Sequence, residues 1–385
     1  MGAFHAYDIR GIYNVDFDKY TAYKIGFFLP ELLKADKVLL GRDVRLSSDE
    51  IYDAVVEGVT DAGADVYDLG LSTTPMVYFA TARYGFDASI QITASHNAKE
   101  YNGMKVSRTN ALPVGFDTGL GEIKRWIEEG RQMKIEKEKG KVIKFDKRDD
   151  YLTFLNGYKE DYSNLKIGMD LSNGMATLFV KDIFGDQPLY ICDKMDGNFP
   201  NHEPNPLVEK NREDLKKLVL DNGCDVGVIY DGDADRVMFI DENGRFISPD
   251  LMIALLGHYF LEEKGEKGAV LQDIRSSKAV GEYLTPMGAE MHTWRVGRAF
   301  AAHKLRELNG VFGGELAGHY YFRDFYYSDS GILASLLILN VIAKLKNQGL
   351  SLSQQISRIE KYQNSGEINF KIESKKEAMD AVRDY

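Results

Sequence analysis

The sequence predicts an α/β protein of about two to four domains, with helices layered on largely parallel or mixed sheets. Three observations predict it. At 385 residues the chain exceeds what one ordinary core encloses. Short apolar runs bounded by Gly, Asn or Asp alternate with longer stretches of helical period. That alternation then restarts twice, near Lys166 and near Leu251.

In chain order, Lys37 to Leu40 reads as a strand ending at Gly41-Arg-Asp43. Ser47 precedes Glu50 at the spacing of a capping box, and Ile51, Val55, Val59 and Ala62 follow at helical period. Asp65 to Leu69 is a strand, and Ser72-Thr-Thr-Pro75 opens a helix with proline in its first turn. Ala88 to Ile92 is a strand, and Tyr101 to Lys105 begins the next one. The Lys/Glu-rich stretch Arg131 to Arg148 reads as a solvated hairpin or linker.

A second round follows. Lys166 to Leu171 is a strand, a helix starts near Met175, Arg212 to Leu220 is helical, and Val226 to Tyr230 is an apolar strand. The third round comprises the helix Leu251 to Glu263, the strand Ala269 to Asp273, a helix from Ser276, and a helix closing at Lys304 to Leu308. A long helix after Ser328 and the helix Ser351 to Tyr362 complete it. Glu367 to Ile372 then alternates like a new strand and Lys375 to Asp384 like a new helix.

Composition narrows the function. Hydrophobic content of 44% with 28% charged residues describes a globular chain, and a net charge of −11 without a basic block excludes a general nucleic-acid binder. Cys192 and Cys224 form no metal or redox spacing and read as reduced thiols. The N-terminus has no apolar signal core, and Ala6 stands where myristoylation prefers Ser or Thr. The longest apolar run, Ile332 to Ala343, is interrupted by Ser335 and Asn340 and is too short for a bilayer. A cytoplasmic protein without membrane partners is expected.

Three segments carry chemistry. Thr93-Ala-Ser95-His96-Asn97 places a serine in a polar turn at a strand end, and Lys105 lies on the following strand. Thr93 and Asn97 stand where a nucleophile elbow needs glycines, so a serine hydrolase is not indicated. Asp231-Gly-Asp233-Ala-Asp235 follows a buried strand, and three carboxylates there repel one another unless a cation neutralises them. Oxygen-only ligands favour a hard cation, Mg²⁺. An EF-hand is excluded because Arg236 occupies its glycine position between strand-like flanks. Gly313-Gly-Glu315-Leu-Ala-Gly-His319 combines flexible residues with Glu315 and His319, two groups able to bond sugar hydroxyls.

Together with Ala6-Tyr7-Asp-Ile-Arg10-Gly11, these segments occur in the order and spacing of the α-D-phosphohexomutases, and the chain resembles a phosphomannomutase/phosphoglucomutase of that family. The resemblance implies three topologically similar α/β domains with mixed sheets sandwiched by helices around a cleft. Their ranges are expected at 1–148 (phosphoserine loop), 149–250 (metal loop) and 251–364 (sugar loop). It implies that Ser95 is the phosphoserine, and that Asp231, Asp233 and Asp235 hold Mg²⁺ together with a Ser95 oxygen. Arg10, Lys105 and His96 join Ser95 among the catalytic residues. Tyr7, Arg236, Gly297, Arg298, Glu315, Ala317 and His319 form the substrate site. The implied reaction interconverts hexose 1- and 6-phosphates of mannose or glucose through a 1,6-bisphosphate, in a monomer or dimer.

Ala98, Ala234, Ala317 and Arg298 depart from the proline, glycine, serine and histidine usual in that family. Residues 365–385 read as the start of a truncated fourth domain, without the Arg/Ser/Thr-rich loop that clamps the substrate's second phosphate. Two alternatives are carried: a phosphatase with Asp231 as nucleophile, and a non-catalytic sugar-phosphate binder.

Overall fold

The computed structural model describes residues 2–135, 137–363 and 370–384 and contains three sheets of related design. The first is built from β1 (Ile9–Ile12), β2 (Lys37–Arg42), β3 (Asp65–Leu71), β4 (Ala88–Ile92), β5 (Tyr101–Arg108), β6 (Leu112–Val114) and β7 (Val142–Lys144). Its order is β1-β5-β4-β2-β3-β7, with β6 beside β5. Four helices belong with it: α1 (Lys19–Leu33), α2 (Ser48–Asp61), α3 (Thr74–Arg83) and α4 (Leu120–Glu128).

After α5 (Arg148–Asn156) come β8 (Ile167–Asp170), α6 (Val180–Phe184), β9 (Leu189–Ile191), α7 (Glu213–Asn222), β10 (Val226–Tyr230), β11 (Val237–Asp241) and β12 (Phe246–Ile247). These strands pair in the order β12-β11-β10-β8-β9. The third unit runs α8 (Pro249–Gly257), β13 (Gly268–Asp273), α9 (Lys278–Leu284), β14 (Ala289–Trp294), α10 (Arg298–Glu307), β15 (Phe312–Gly314), β16 (Tyr320–Phe322), β17 (Ser328–Asp329), α11 (Gly331–Asn347) and α12 (Leu352–Ile359). Its sheet order is β14-β13-β15-β16-β17.

The three sheets repeat one device. A run of parallel strands ends in a strand whose next neighbour along the chain folds back antiparallel: β4 to β5, β10 to β11, and β15 to β16. The closing pairs are Ile92 with Met104, Tyr230 with Val237, and Gly314 with Tyr320. The serine, aspartate and glycine-rich segments are therefore three versions of the same reversal. A parallel α/β sheet presents such loops at its carboxyl edge, where ligands bind.

Burial on both sheet faces explains the apolar runs. In β2, Leu39 joins the core shared with α3, while Val38 and Leu40 face α1 and α2. In β10, Val226, Val228 and Tyr230 enter that large core and Ile229 packs the other way, with Leu215 and Met238. The large core runs on through Tyr151 and Phe179 to α11, whose apolar residues point all ways. The two polar interruptions of α11 find partners: Ser335 bonds the Tyr230 hydroxyl at 2.6 Å, and the Asn340 Nδ2 donates to the Tyr158 carbonyl at 2.9 Å, though its Oδ1 is left unpaired. Among the described residues no helix is long and apolar enough to cross a membrane.

The structure departs from the sequence reading in four places. Residues 142–144 of the expected linker form β7, parallel to β3, with the half-buried Ile143 between exposed Val142 and Lys144. Ser47 makes no capping bond to α2; its hydroxyl instead accepts from Asn102 at 2.9 Å. The helix expected from Met175 is a 3-10 turn that breaks at Phe179 (φ −128°) before the short α6, held by Val180, Ile183 and Phe184. The strand expected at Glu367–Ile372 lies partly in 364–369, outside the described residues, and 370–372 are not a strand. The final helix forms as α13 (Lys375–Asp384).

Candidate active site

The β4–β5 and β10–β11 reversals meet. Ser95, buried at the end of its loop, donates from Oγ to Asp231 Oδ2 at 2.8 Å across 136 residues of sequence. Its backbone is left-handed (φ 52°), a conformation that non-glycine residues adopt at a cost, and its N–H is held by Thr93 Oγ1 at 2.9 Å. The hydroxyl is thereby aimed by its own turn and by the second domain's carboxylate.

Asp231, Asp233 and Asp235 are all fully buried, with one oxygen of each within 4.8 Å of the others. The loop is clamped from both neighbouring domains. Thr74, at the start of α3, donates its N–H to the Asp233 carbonyl at 3.1 Å and its hydroxyl to the Asp233 carboxylate. Gly331, at the start of α11, donates to the Ala234 carbonyl at 3.1 Å. A Cβ on Gly331 would lie 2.6 Å from the Arg236 carbonyl, so only glycine fits this approach.

Ala234 has φ 62°, the region where its usual glycine would be unstrained. Ala234→Gly is therefore expected to raise stability by about 0.5–1 kcal/mol, the left-handed cost less the entropy of glycine. The urea midpoint of the second domain would shift upward; an unchanged or lower midpoint contradicts this.

Lys105, on β5, answers the acidic cluster from the first domain. Its Nζ lies 2.6 Å from Asp233 Oδ2 and also bonds Asp235 Oδ2. Burial pulls the ammonium's pKa down, but Asp233 and Asp235 outweigh it and hold the group charged. Burial, and then Asp235 and Asp233, push the Asp231 carboxyl well above its usual range. Asp235 is held low, because Lys105 and His319 outweigh its burial. Asp233 Oδ1 and Asp235 Oδ1 are buried without a hydrogen-bond partner. Two orphaned carboxylate oxygens beside a third carboxylate and a serine hydroxyl are an oxygen donor set that fits a hard divalent cation.

Further basic groups hold the two loops that meet at Ser95. Arg10, on β1, donates to Asn97 Oδ1 at 2.8 Å and pairs with Asp8. Arg236 closes the aspartate loop with its N–H on Asp231 Oδ1 at 3.1 Å and donates from Nε to His319 Nε2 at 2.9 Å. Burial first, and then Arg236, Arg10 and Lys105, hold the His96 pKa well below the ordinary range, so its ring is neutral. Arg10, Lys105 and Arg236 thus each bind the serine loop or the aspartate loop that meet at Ser95, a suitable surrounding for a phosphate.

The third reversal supplies polar groups from its own domain. Glu315 accepts the Gly297 N–H and the Tyr321 hydroxyl on Oε1, each at 3.1 Å, and burial raises its pKa. Gly297 (φ 123°) passes under Tyr7, whose ring a Cβ there would meet at 2.5 Å, and the Tyr7 hydroxyl donates to the Val296 carbonyl at 3.2 Å. Ala317 is half-buried in the turn closed by the Gly318 N–H on the Glu315 carbonyl.

Arg298 does not stand free. Its guanidinium lies 3.6 Å from the Tyr78 ring centre, and Nε pairs with Asp329 at 3.3 Å, so it ties the third domain to the first. Asp329 in turn holds His319 Nδ1 at 2.6 Å, which leaves Nε2 to accept from Arg236. Asp329, Thr74 and Tyr78 were not singled out from the sequence. The available signal was slight: Asp329 lies in Ser328-Asp-Ser330 just before a long apolar helix, and Thr74 in the capping segment of α3.

Comparison with known proteins agrees with this geometry over nearly the whole chain. The phosphoglucomutase/phosphomannomutase alpha/beta/alpha domains I, II and III match residues 1–134, 149–244 and 248–362. The chain is 36% identical over 396 residues to a phosphomannomutase of Escherichia coli, covering 100% of this chain and 86% of that protein. It is 37% identical over 399 residues to one from Vibrio cholerae, covering 99% and 85%. Among solved structures, a phosphoglucomutase/phosphomannomutase family protein from Burkholderia thailandensis superposes with a TM-score of 0.84 at 28% identity, covering 93% of this chain and 79% of that one.

Proposed function

The chain belongs to the phosphoglucomutase/phosphomannomutase family and is a hexose phosphate mutase, and we propose that its reaction runs through Ser95 as the phosphoryl carrier. The observation that carries this reading is the 2.8 Å bond from Ser95 Oγ to Asp231, which seats the hydroxyl at the acidic cluster.

In the forward half-reaction the phosphoryl group leaves Ser95 Oγ for the free hydroxyl of a bound hexose monophosphate, giving a 1,6-bisphosphate. The sugar hydroxyl gives up its proton as the new P–O bond forms, and Ser95 Oγ takes up one proton as its own P–O bond breaks, so the transfer is proton-neutral. The bisphosphate turns within the cleft and its other phosphate returns to Ser95, so the enzyme is restored and no water is consumed. Asp231, Asp233 and Asp235 would hold Mg²⁺, which supplies Lewis-acid withdrawal of charge from the transferring group. Arg10, Lys105 and Arg236 surround the phosphate on Ser95 and balance its charge. Glu315 spends Oε1 on Gly297 and Tyr321, leaving Oε2 for a sugar hydroxyl. His319, held by Asp329 at Nδ1 and by Arg236 at Nε2, fixes the Arg236 side chain beside the same space.

The phosphatase alternative fits less well. Its nucleophile would be Asp231, whose Oδ2 already faces Ser95, and the relatives are mutases rather than hydrolases. The relatives' names put mannose phosphate first among substrates. A side-by-side assay on mannose 1-phosphate, glucose 1-phosphate and glucosamine 6-phosphate is expected to show isomerisation of mannose 1-phosphate, faster than or equal to that of glucose 1-phosphate, without net phosphate release. Release of phosphate without isomerisation would restore the phosphatase reading.

A further inference from the structure

We propose that Arg45 is a positioning residue for phosphoryl transfer: its guanidinium holds the serine loop in the shape that aims Ser95 at Asp231. The inference rests on Ser95 being the phosphoryl carrier.

Arg45 lies just after β2, in the first domain, and its side chain has no solvent exposure. A guanidinium has five N–H donors in a fixed plane. Each finds an acceptor here. Nε donates to Asp43 at 3.1 Å, Nη1 to the carbonyls of Ala98 at 2.7 Å and Tyr101 at 3.0 Å, and Nη2 to the carbonyls of Ser95 at 2.8 Å and Asn97 at 2.7 Å. Asp43 is itself fixed by the Ser48 hydroxyl at 2.6 Å and the Arg45 N–H at 3.0 Å. The arrangement is a plug: the loop turns its carbonyls inward onto one charge and its serine hydroxyl outward.

Two features make the plug consequential. The loop's own backbone bonds are sparse, Asn97 to Ala94 and Tyr101 to Ala98, each at 3.1 Å, while Ser95 is left-handed. Ala98, in the middle of the loop, is tied through its carbonyl to Arg45. The second domain also seals the plug. The Phe199 ring centre lies 5.0 Å from the guanidinium, and Gly197 packs so closely that a Cβ would sit 2.3 Å from the Val44 carbonyl. Gly232, between the first two aspartates, presses on the Ser95 carbonyl, which a Cβ there would meet at 2.5 Å. Arg45 therefore sets serine loop and aspartate loop against each other.

A lysine at this position would keep the charge but offers three donors from a single point, so it cannot span four carbonyls. With the full chain, Arg45→Lys is expected to lower kcat by about 10- to 100-fold per folded molecule, the scale of an ångström-level misplacement. KM for the hexose monophosphate should stay within about threefold, because the sugar-binding groups lie elsewhere. The rate at which Ser95 takes up phosphate from a hexose 1,6-bisphosphate should fall by the same factor as kcat. Arg45→Ala should fall further and be partly rescued by added ethylguanidinium.

A merely structural arginine would show activity tracking the folded fraction, read by near-ultraviolet circular dichroism, and no rescue. That result overturns the inference, as does an Arg45→Lys enzyme with unchanged kcat. Ser95→Ala separates the two levels. Turnover by Ser95→Ala defeats the carrier reading itself, whereas an inactive Ser95→Ala beside a fully active Arg45→Lys defeats only the role given to Arg45.

Discussion

Ser95→Ala is expected to lower turnover by about 10⁴-fold or more, the scale seen when a covalent carrier is removed from a site whose other parts remain. The loss should fall on kcat. The substitution deletes one oxygen, and the loop retains the Arg45 bonds to its carbonyls and the Thr93 bond to its N–H. Binding of the hexose monophosphate, measured by calorimetry, should therefore change little. Asp231 Oδ2 would lose its donor, and a buried carboxylate without one costs about 1–3 kcal/mol. The variant should accordingly melt a few degrees lower yet remain folded. Retention of more than a tenth of wild-type kcat would mean that the phosphoryl group travels by another route.

Removal of the divalent cation is the second large effect. Three buried carboxylates face one buried ammonium, Lys105, so the described cluster carries more negative than positive charge from these four groups. Like charges about 4 Å apart repel by about 4 kcal/mol at an effective dielectric near 20. A bound divalent cation relieves that repulsion. Chelation by EDTA is expected to reduce turnover by about 10³-fold, with recovery on adding Mg²⁺. Asp233→Asn, which removes one charge and leaves Asp233's neighbours in place, should raise the Mg²⁺ concentration for half-maximal activity by on the order of 10²-fold. Cation binding can be followed separately by calorimetry. Unchanged turnover in EDTA, or an unaltered Mg²⁺ requirement in Asp233→Asn, would remove the cation from the account.

Much of this arrangement was legible before any coordinate. The strands of a sheet covered on both faces read as apolar runs, as Val226 to Tyr230 does, while Ala88 to Ile92 carries the buried polar Ser89 and Gln91 at alternate positions. A small polar segment directly after such a run marks a reversal at the sheet's edge, which is how the Ser95 and Asp231 loops were found. Their meeting was not readable from spacing, because it depends on how two domains pack. The same limit hid Asp329, Thr74 and Arg45, each of which acts on a loop in another element or another domain.

From sequence, a cation is what quiets the three aspartates. The structure adds Lys105, placed on the antiparallel strand that follows the serine loop, as a second source of positive charge. Arg298, expected in the substrate site, stacks on Tyr78 and pairs with Asp329. β7 carries no periodic signal, because its three residues bury only Ile143 in part.

The central claim is that Ser95 relays a phosphate from sugar to sugar. Enzyme labelled with ³²P at Ser95, with the position confirmed by peptide mass spectrometry, should be mixed in a single turnover with unlabelled mannose 1-phosphate and Mg²⁺. The label is expected to leave the protein and appear in hexose 1,6-bisphosphate and hexose 6-phosphate. Label that remains on the protein through turnover, or appears as inorganic phosphate, would contradict the relay.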